Sequence, residues 1–471
     1  MLAVMLAVAS AATAARIKGT RHADRLQTVN RVRDVVSCGA GRDLATVDLL
    51  DRVARDCETV TREISRDPYR NAGSSHETQV EPDTFAAGRS VVAVFQSGRF
   101  FDGGATNIGF AVSRNRGVTW RHGFLPGLTQ GGGRRASDPA VTYDAGHRVW
   151  LAVSLVFGTD SYALAVSRSP DGLHWAAPVT ARLVASTGPE ALDKEWIGCD
   201  NWASSPFRGR CYLTYSDLGT TQIATQVSTD GGLTWGPPVS GPGFPGRQAI
   251  LGAYAPAPQV AVLRNGTALL PYFDETQISV LRSSDGGASW SGALPVTPAR
   301  YAPHPGFRAG PISSAEVGAD GNAYVAWADC SRRAGCATND IVFIRSTDGI
   351  GWSAPTRIPT GTADAELPGL AADPSRPGRL ALAYYTLRGS TLDVGVVSSR
   401  NGGARWTEPA RLNSRSFPMA WIARTSLGSM VGDYISTSFA GGRAVPVFAL
   451  ATAPRGATLH EAMFSASLPV G

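Results

Sequence analysis

The stretch Ser228-Thr229-Asp230-Gly231-Gly232-Leu233-Thr234-Trp235 returns five more times along the chain, and a turn repeated at near-constant spacing leaves few folds open. Ser283 to Trp290 has the same form, S-x-D-x-G-x-[TS]-W. Ser113 to Trp120 and Ser399 to Trp406 keep the frame with Asn115 and Asn401 in place of the aspartate, while Ser169 to Trp175 and Ser346 to Trp352 are one residue shorter. The tryptophans fall at 120, 175, 235, 290, 352 and 406, a repeat of 54 to 62 residues. Asp, Asn and Ser oxygens accept backbone N–H groups and hold a tight turn, Gly supplies positive φ, and Trp buries apolar surface beside it. An apolar or alternating run precedes each turn, such as Ile108–Val112, Ile223–Val227 and Val394–Val397, so each box is expected to be a hairpin turn.

The pattern resembles the Asp-box, or bacterial neuraminidase repeat, of the sialidase superfamily, over roughly residues 78 to 466. The resemblance implies an all-β fold, a β-propeller of four-stranded blades in which each box joins the third strand to the fourth. Three further strands follow the sixth box, near Met430–Ile435, Val445–Leu450 and His460–Leu468, and carry no box. Seven blades are therefore favoured, the missing outer strand of the last coming from the N-terminal region; six is the alternative.

Residues 78–471 are thus assigned to the propeller and 16–77 to an N-terminal segment. There Leu49, Leu50, Val53, Cys57, Val60 and Ile64 recur at helical spacing and predict an amphipathic helix over 46–65. Residues 1–15 are small and apolar and end Ala12-Thr13-Ala14-Ala15; they read as a secretory signal peptide with its basic leading segment missing. The six cysteines fall into three local pairs, Cys38 and Cys57, Cys199 and Cys211, Cys330 and Cys336, which suits disulfides in an exported, extracellular protein. With charged residues at 17% against 43% hydrophobic, disorder is excluded. Lys18 and Lys194 are the only lysines, and the remaining positive charge is arginine dispersed along the chain; a nucleic-acid partner is not expected, nor a membrane span.

Aligned by their boxes, the blades place Glu81, Asp138, Asp193 or Glu195, Glu316, Glu366 and Asp433 at one end of the channel. The loops between second and third strands add Arg99, Asp217, Asp274, Glu275, Asp329 and Arg388, with Trp327, Tyr384 and Tyr385 as surfaces on which a sugar could stack. Two carboxyl groups astride a glycosidic oxygen can act as acid and as base or nucleophile. The same crown could hold Ca²⁺ through oxygen ligands, or cap strand ends; no cofactor is required by any motif. The leading expectation is a monomeric glycoside hydrolase of exo-alpha-sialidase type acting on carbohydrate or glycoconjugate, with Glu81, Asp138, Glu316, Asp433 and Tyr434 catalytic and Arg99, Arg388, Glu195, Trp327 and Tyr385 binding substrate. The rival is a propeller that binds glycan or protein without turnover. Sialidases use three arginines for the sialate carboxylate, a Tyr nucleophile assisted by Glu, and an Asp acid/base. Tyr434 and Glu316 are the matching nucleophile and partner, whereas Val80-Glu81-Pro82 stands where the family's Arg-Ile-Pro motif lies.

Overall fold

The computed structural model describes residues 13–130, 133–243 and 256–470; most of the expected signal segment therefore lies outside them. Among the described residues the regular elements are strands and two three-residue 3-10 turns, with no α-helix.

Six four-stranded antiparallel units follow one another. The first comprises Gln79–Ala87, Ser90–Arg99, Ala105–Ser113 and Arg121–Phe124. The first strands of units two to six are Arg135–Asp144, Leu192–Cys199, Ala261–Val262, Ser314–Val317 and Asp364–Ala372. A seventh unit holds Ser436–Ala440, Arg443–Ala451 and Glu461–Ala466, and its fourth strand is Thr59–Glu63 from the N-terminal region, antiparallel to the third with Phe464 opposite Glu63. Each first strand lies against the first strands of the units before and after it, and Ser436–Ala440 returns to Gln79–Ala87, so the seven form a ring. Alternating strands bury both faces, and the core is a series of apolar clusters between successive units.

Every repeated turn joins a third strand to a fourth. In the third unit Ser228 Oγ accepts the Gly232 N–H at 2.9 Å, and Asp230 Oδ1 accepts those of Leu233 and Thr234, each at 3.0 Å. The turn also reaches its neighbour. A Cβ on Gly232 would stand 2.9 Å from Leu151 of the second unit, one on Gly349 2.4 Å from Leu269 of the fourth, and one on Gly117 2.7 Å from Val445 of the seventh. All three glycines have positive φ, so the residue that shapes the turn also lets it dock. Dispersed arginines complete these joints: Arg168 donates to Gly231 O at 2.8 Å, Arg210 to Gly286 O at 2.6 Å, and Arg114 pairs with Asp171 at 3.1 Å.

The helix expected over 46–65 is absent. Residues 13–66 instead wind as three short coils, with Arg16–Lys18, Val35–Ser37 and Arg52–Val53 stacked in parallel on one side and Arg25–Gln27, Leu44–Val47 and Thr59–Glu63 on the other. Aspartates between the strands decide this, because they bond backbone across coils. Asp34 accepts the Ala15 N–H at 2.7 Å, Asp43 that of Asp24 at 2.7 Å and Asp51 that of Asp34 at 2.9 Å. Leu50, assigned to the buried helix face, is 41% exposed. The cysteines pair locally as expected, with Cys38–Cys57 tying the second coil to the third and Cys199–Cys211 and Cys330–Cys336 within the ring.

Candidate functional site

The first strands of units one, two, three and six each carry a β-bulge near their starts, between Val80 and Asp83, Ser137 and Ala140, Asp193 and Trp196, and Glu366 and Gly369. A bulge leaves one residue unpaired and re-aims its side chain. The residues so placed, Glu81, Asp138, Lys194 and Leu367, all hold positive φ, between 46° and 61°. Pro82, Pro139 and Pro368 follow three of them, in keeping with the tolerance of bulges for a residue that donates nothing to a ladder.

Three of these bulges converge with the segment that leads into the seventh unit. Lys194 Nζ donates to Asp138 Oδ1 at 3.0 Å, contacts Asp433 Oδ2, and stands 3.8 Å from Glu81 Oε1. Arg308, from the stretch between the fourth and fifth units, holds Asp433 with a two-pronged grip, Nε to Oδ1 at 2.8 Å and Nη2 to Oδ2 at 2.5 Å. Gly432 permits the approach: with φ at +148° it packs so that a Cβ would meet the Glu81 Cα at 2.7 Å.

Burial and charge set these groups apart. Burial would push Asp433 up, yet Arg308 and Lys194 outweigh it and hold its carboxyl well below the usual range. Glu81, buried and facing the Asp138 charge, is pushed up to about 8, and its Oε2 accepts from Gln96. Lys194 is raised despite burial, because Asp138, Asp433 and Glu81 surround it. One oxygen each of Glu81, Asp138 and Asp433 lies within 4.8 Å of the others, a metal-sized nest, and the Lys194 ammonium contacts all three residues.

Further along the strands lies a cavity of about 320 Å³, lined from all seven units, with Asp83 and Glu316 as its carboxyl groups and Trp196, Trp202 and Phe439 among its apolar walls. Burial raises Asp83 to about 7, and burial with the Asp83 charge raises Glu316 to about 8.

The structure thus gathers Glu81, Asp138 and Asp433 and sets Glu316 apart from them in the cavity. Glu195 is 1% exposed, and burial with the Asp138 charge raises it well above its ordinary value. Glu366 accepts from Asn339 at 2.8 Å. Arg99 is 2% exposed, donates to Gly104 O at 2.7 Å, and is lowered to about 10 by burial and by Arg308; Arg388 stays exposed at the end of its strand, outside the cluster. Tyr434 gives its hydroxyl to Pro139 O at 2.9 Å and packs edge-on against Trp196 at 5.1 Å, and burial pushes it far up. The stacking role expected of Trp327 and Tyr385 is corrected. Both are 0% exposed, their polar atoms bonded to Asp329 at 3.0 Å and Ala449 O at 2.7 Å, because they fill the core between units. Lys194 and Arg308 are the members that sequence reasoning missed. Only the rarity of lysine and its place between two acids at a strand start could have singled out Lys194.

No family model matches the chain. A xyloglucanase of Paenibacillus sp is 32% identical over 135 residues, 28% of this chain, and the match spans 12% of that protein's length. Sialidases are among the solved structures to which the chain is similar. A leech intramolecular trans-sialidase, in complex with 2,7-anhydro-Neu5Ac, matches with a TM-score of 0.49 and 12% identity over 74% of this chain and 69% of its own. An ulvan lyase of a polysaccharide lyase family matches with a TM-score of 0.49 and 12% identity over 85% of this chain and 96% of its own.

Proposed function

We propose that the chain is a seven-bladed β-propeller of Asp-box type that acts on extracellular carbohydrate as a glycoside hydrolase, with the bulged strand starts as its reaction centre. The observation that carries this reading is the opposed surroundings of two neighbouring carboxyl groups, Asp433 gripped by two cations and Glu81 buried beside another acid. Glu81 keeps its proton to about pH 8, while Asp433 stays ionised under Arg308 and Lys194. Environments that push paired carboxyls apart are how one site supplies both an acid and an anion near neutrality. Glu81 is then the proton donor to the leaving oxygen and Asp433 the anion that meets the developing positive sugar ring. Left-handed backbone at three non-glycine members also supports function here, since such strain persists where a site requires it. Arg308, its side chain 12% exposed, is the member of the cluster that reaches nearest to solvent. Three disulfides support export, and the share of identity with a xyloglucanase supports a polysaccharide substrate. With an ammonium in the carboxylate nest, Ca²⁺ is not needed, and chelator is expected to leave any activity unchanged.

The depth of the cluster favours a second reading, in which Lys194, Asp433 and Arg308 pin the ring and the propeller binds without turnover. The test is hydrolysis of fluorogenic neutral glycosides, xyloglucan oligosaccharides and a sialoside by the protein and its Glu81→Gln variant. Glu81 carries its proton at neutral pH, so glutamine preserves both shape and charge. Turnover that falls by about 10²-fold or more with an unchanged melting midpoint is expected; a folded protein idle on every substrate would leave the binding reading standing.

A further inference from the structure

Away from the channel, a groove of about 280 Å³ runs between the N-terminal coils and the seventh unit. Arg31, Arg66, Arg415 and Arg455 line it, together with Trp421 and His460. Its acids have partners: Glu77 is held by Arg31 and by Arg70, Glu63 takes both prongs of Arg66 at 2.5 and 2.7 Å, and Asp67 accepts the Tyr69 and Thr78 N–H groups at 2.8 and 3.1 Å. Glu461, buried at 1% exposure, accepts the Ala423 N–H at 2.9 Å, and burial raises it well above its ordinary value. Arg415 and Arg455, both exposed, have no acidic partner among the described residues. The surplus positive charge is registered by His460, whose Nδ1 lies 3.2 Å from Arg31 Nη2; burial and four arginines lower the ring to about 4. Trp421 packs one side on the core and remains partly exposed, a flat apolar surface in the groove that Arg415 and Arg455 also line.

We propose that this groove binds an acidic sugar residue, its carboxylate or sulfate on Arg415 and Arg455 and its ring on Trp421. A guanidinium fork matches either oxyanion, and an indole face suits the apolar side of a pyranose. The site draws only on charge, shape and the coil–unit junction, so it stands whether or not the channel mouth is catalytic. It would hold an anionic polysaccharide outside the cavity that the seven units line.

The test is calorimetric titration with hexagalacturonate, a chondroitin sulfate hexasaccharide and neutral maltohexaose, using the full chain, the Arg415→Gln/Arg455→Gln pair, Trp421→Leu and a control pair, Arg400→Gln/Arg405→Gln. Both control arginines are exposed, lie in the box turn of the sixth unit and do not line the groove. Binding of one or both acidic hexasaccharides, none of the neutral one, and a loss of about tenfold or more in the groove pair but not the control pair are expected. Trp421→Leu should weaken binding with the salt dependence kept. Because chondroitin sulfate carries both groups, binding of hexagalacturonate assigns the carboxylate, and binding of chondroitin sulfate alone assigns the sulfate. No binding of either acid, equal binding of maltohexaose, or equal losses in the two arginine pairs overturns the proposal, the melting midpoint of each variant showing that it is folded.

Discussion

Lys194, 3% exposed, keeps its charge because Asp138, Asp433 and Glu81 surround it, and removing it would leave Asp138 without a cation and Asp433 with Arg308 alone. Lys194→Met is therefore expected to cost about 3–5 kcal/mol in urea unfolding, far more than a surface lysine. The cavity pair sets a pH dependence of determinate sign. Asp83 and Glu316 have folded values of about 7 and about 8, above those of the unfolded chain, so the folded state holds more protons between about pH 4 and 8. Stability falls as pH rises through that window, by up to about 1.4 kcal/mol per pH unit for each group. Glu316→Gln is expected to flatten the decline, seen as a smaller difference in unfolding midpoint between pH 5 and pH 8. Of the clustered groups, Glu81 and Asp138 were legible in the sequence because each stands near the start of a first strand ahead of its box, and Asp433 because it leads into the strands that follow the last box. Arg308 was not, since it lies in a loop with no motif and reaches Asp433 only through the closed ring. Trp327 and Tyr385 misled because alternation tells which residues share a face, not whether that face meets solvent or the next unit.

Among the elements, the box turn is both a hairpin and a joint. Gly349→Ala would force a Cβ to 2.4 Å from Leu269 and a non-glycine residue to φ +73°, and is expected to lower stability by about 1–3 kcal/mol. Gly351→Ala, in the same turn but meeting only Asp348 at 3.9 Å, should cost far less; equal losses in thermal melts would mean that docking on the neighbour contributes nothing. These turns were readable because their chemistry is local, each Ser and Asp oxygen bonding N–H groups within four residues. The N-terminal coils were not. Their aspartates bond N–H groups 17 to 19 residues away, and Val53, Val60 and Ile64 fit helical spacing as well as they fit three short strands.

For the whole molecule, closure of the ring depends on chain segments far apart in sequence. Thr61 opposite Ala466 and Glu63 opposite Phe464 supply the outer strand of the seventh unit, while Val431 and Gly432 meet Glu81 at the seam with the first. Removing residues 13–66 would leave Glu461–Ala466 as an unpaired edge, and such edges recruit other chains. A truncated protein starting at Asp67 is expected to melt lower and to aggregate with concentration in light scattering; an unchanged midpoint would show that the coils are dispensable to closure. The borrowed strand also has a consequence in time. Glu63 leaves the ribosome 401 residues before Phe464, its partner, which at about 5–20 residues per second is a wait of roughly 20–80 s. Through that interval six units can fold in turn while the seventh lacks the strands that join the two ends. The ring can close only after that wait, so the chain spends roughly 20–80 s with its two ends unjoined.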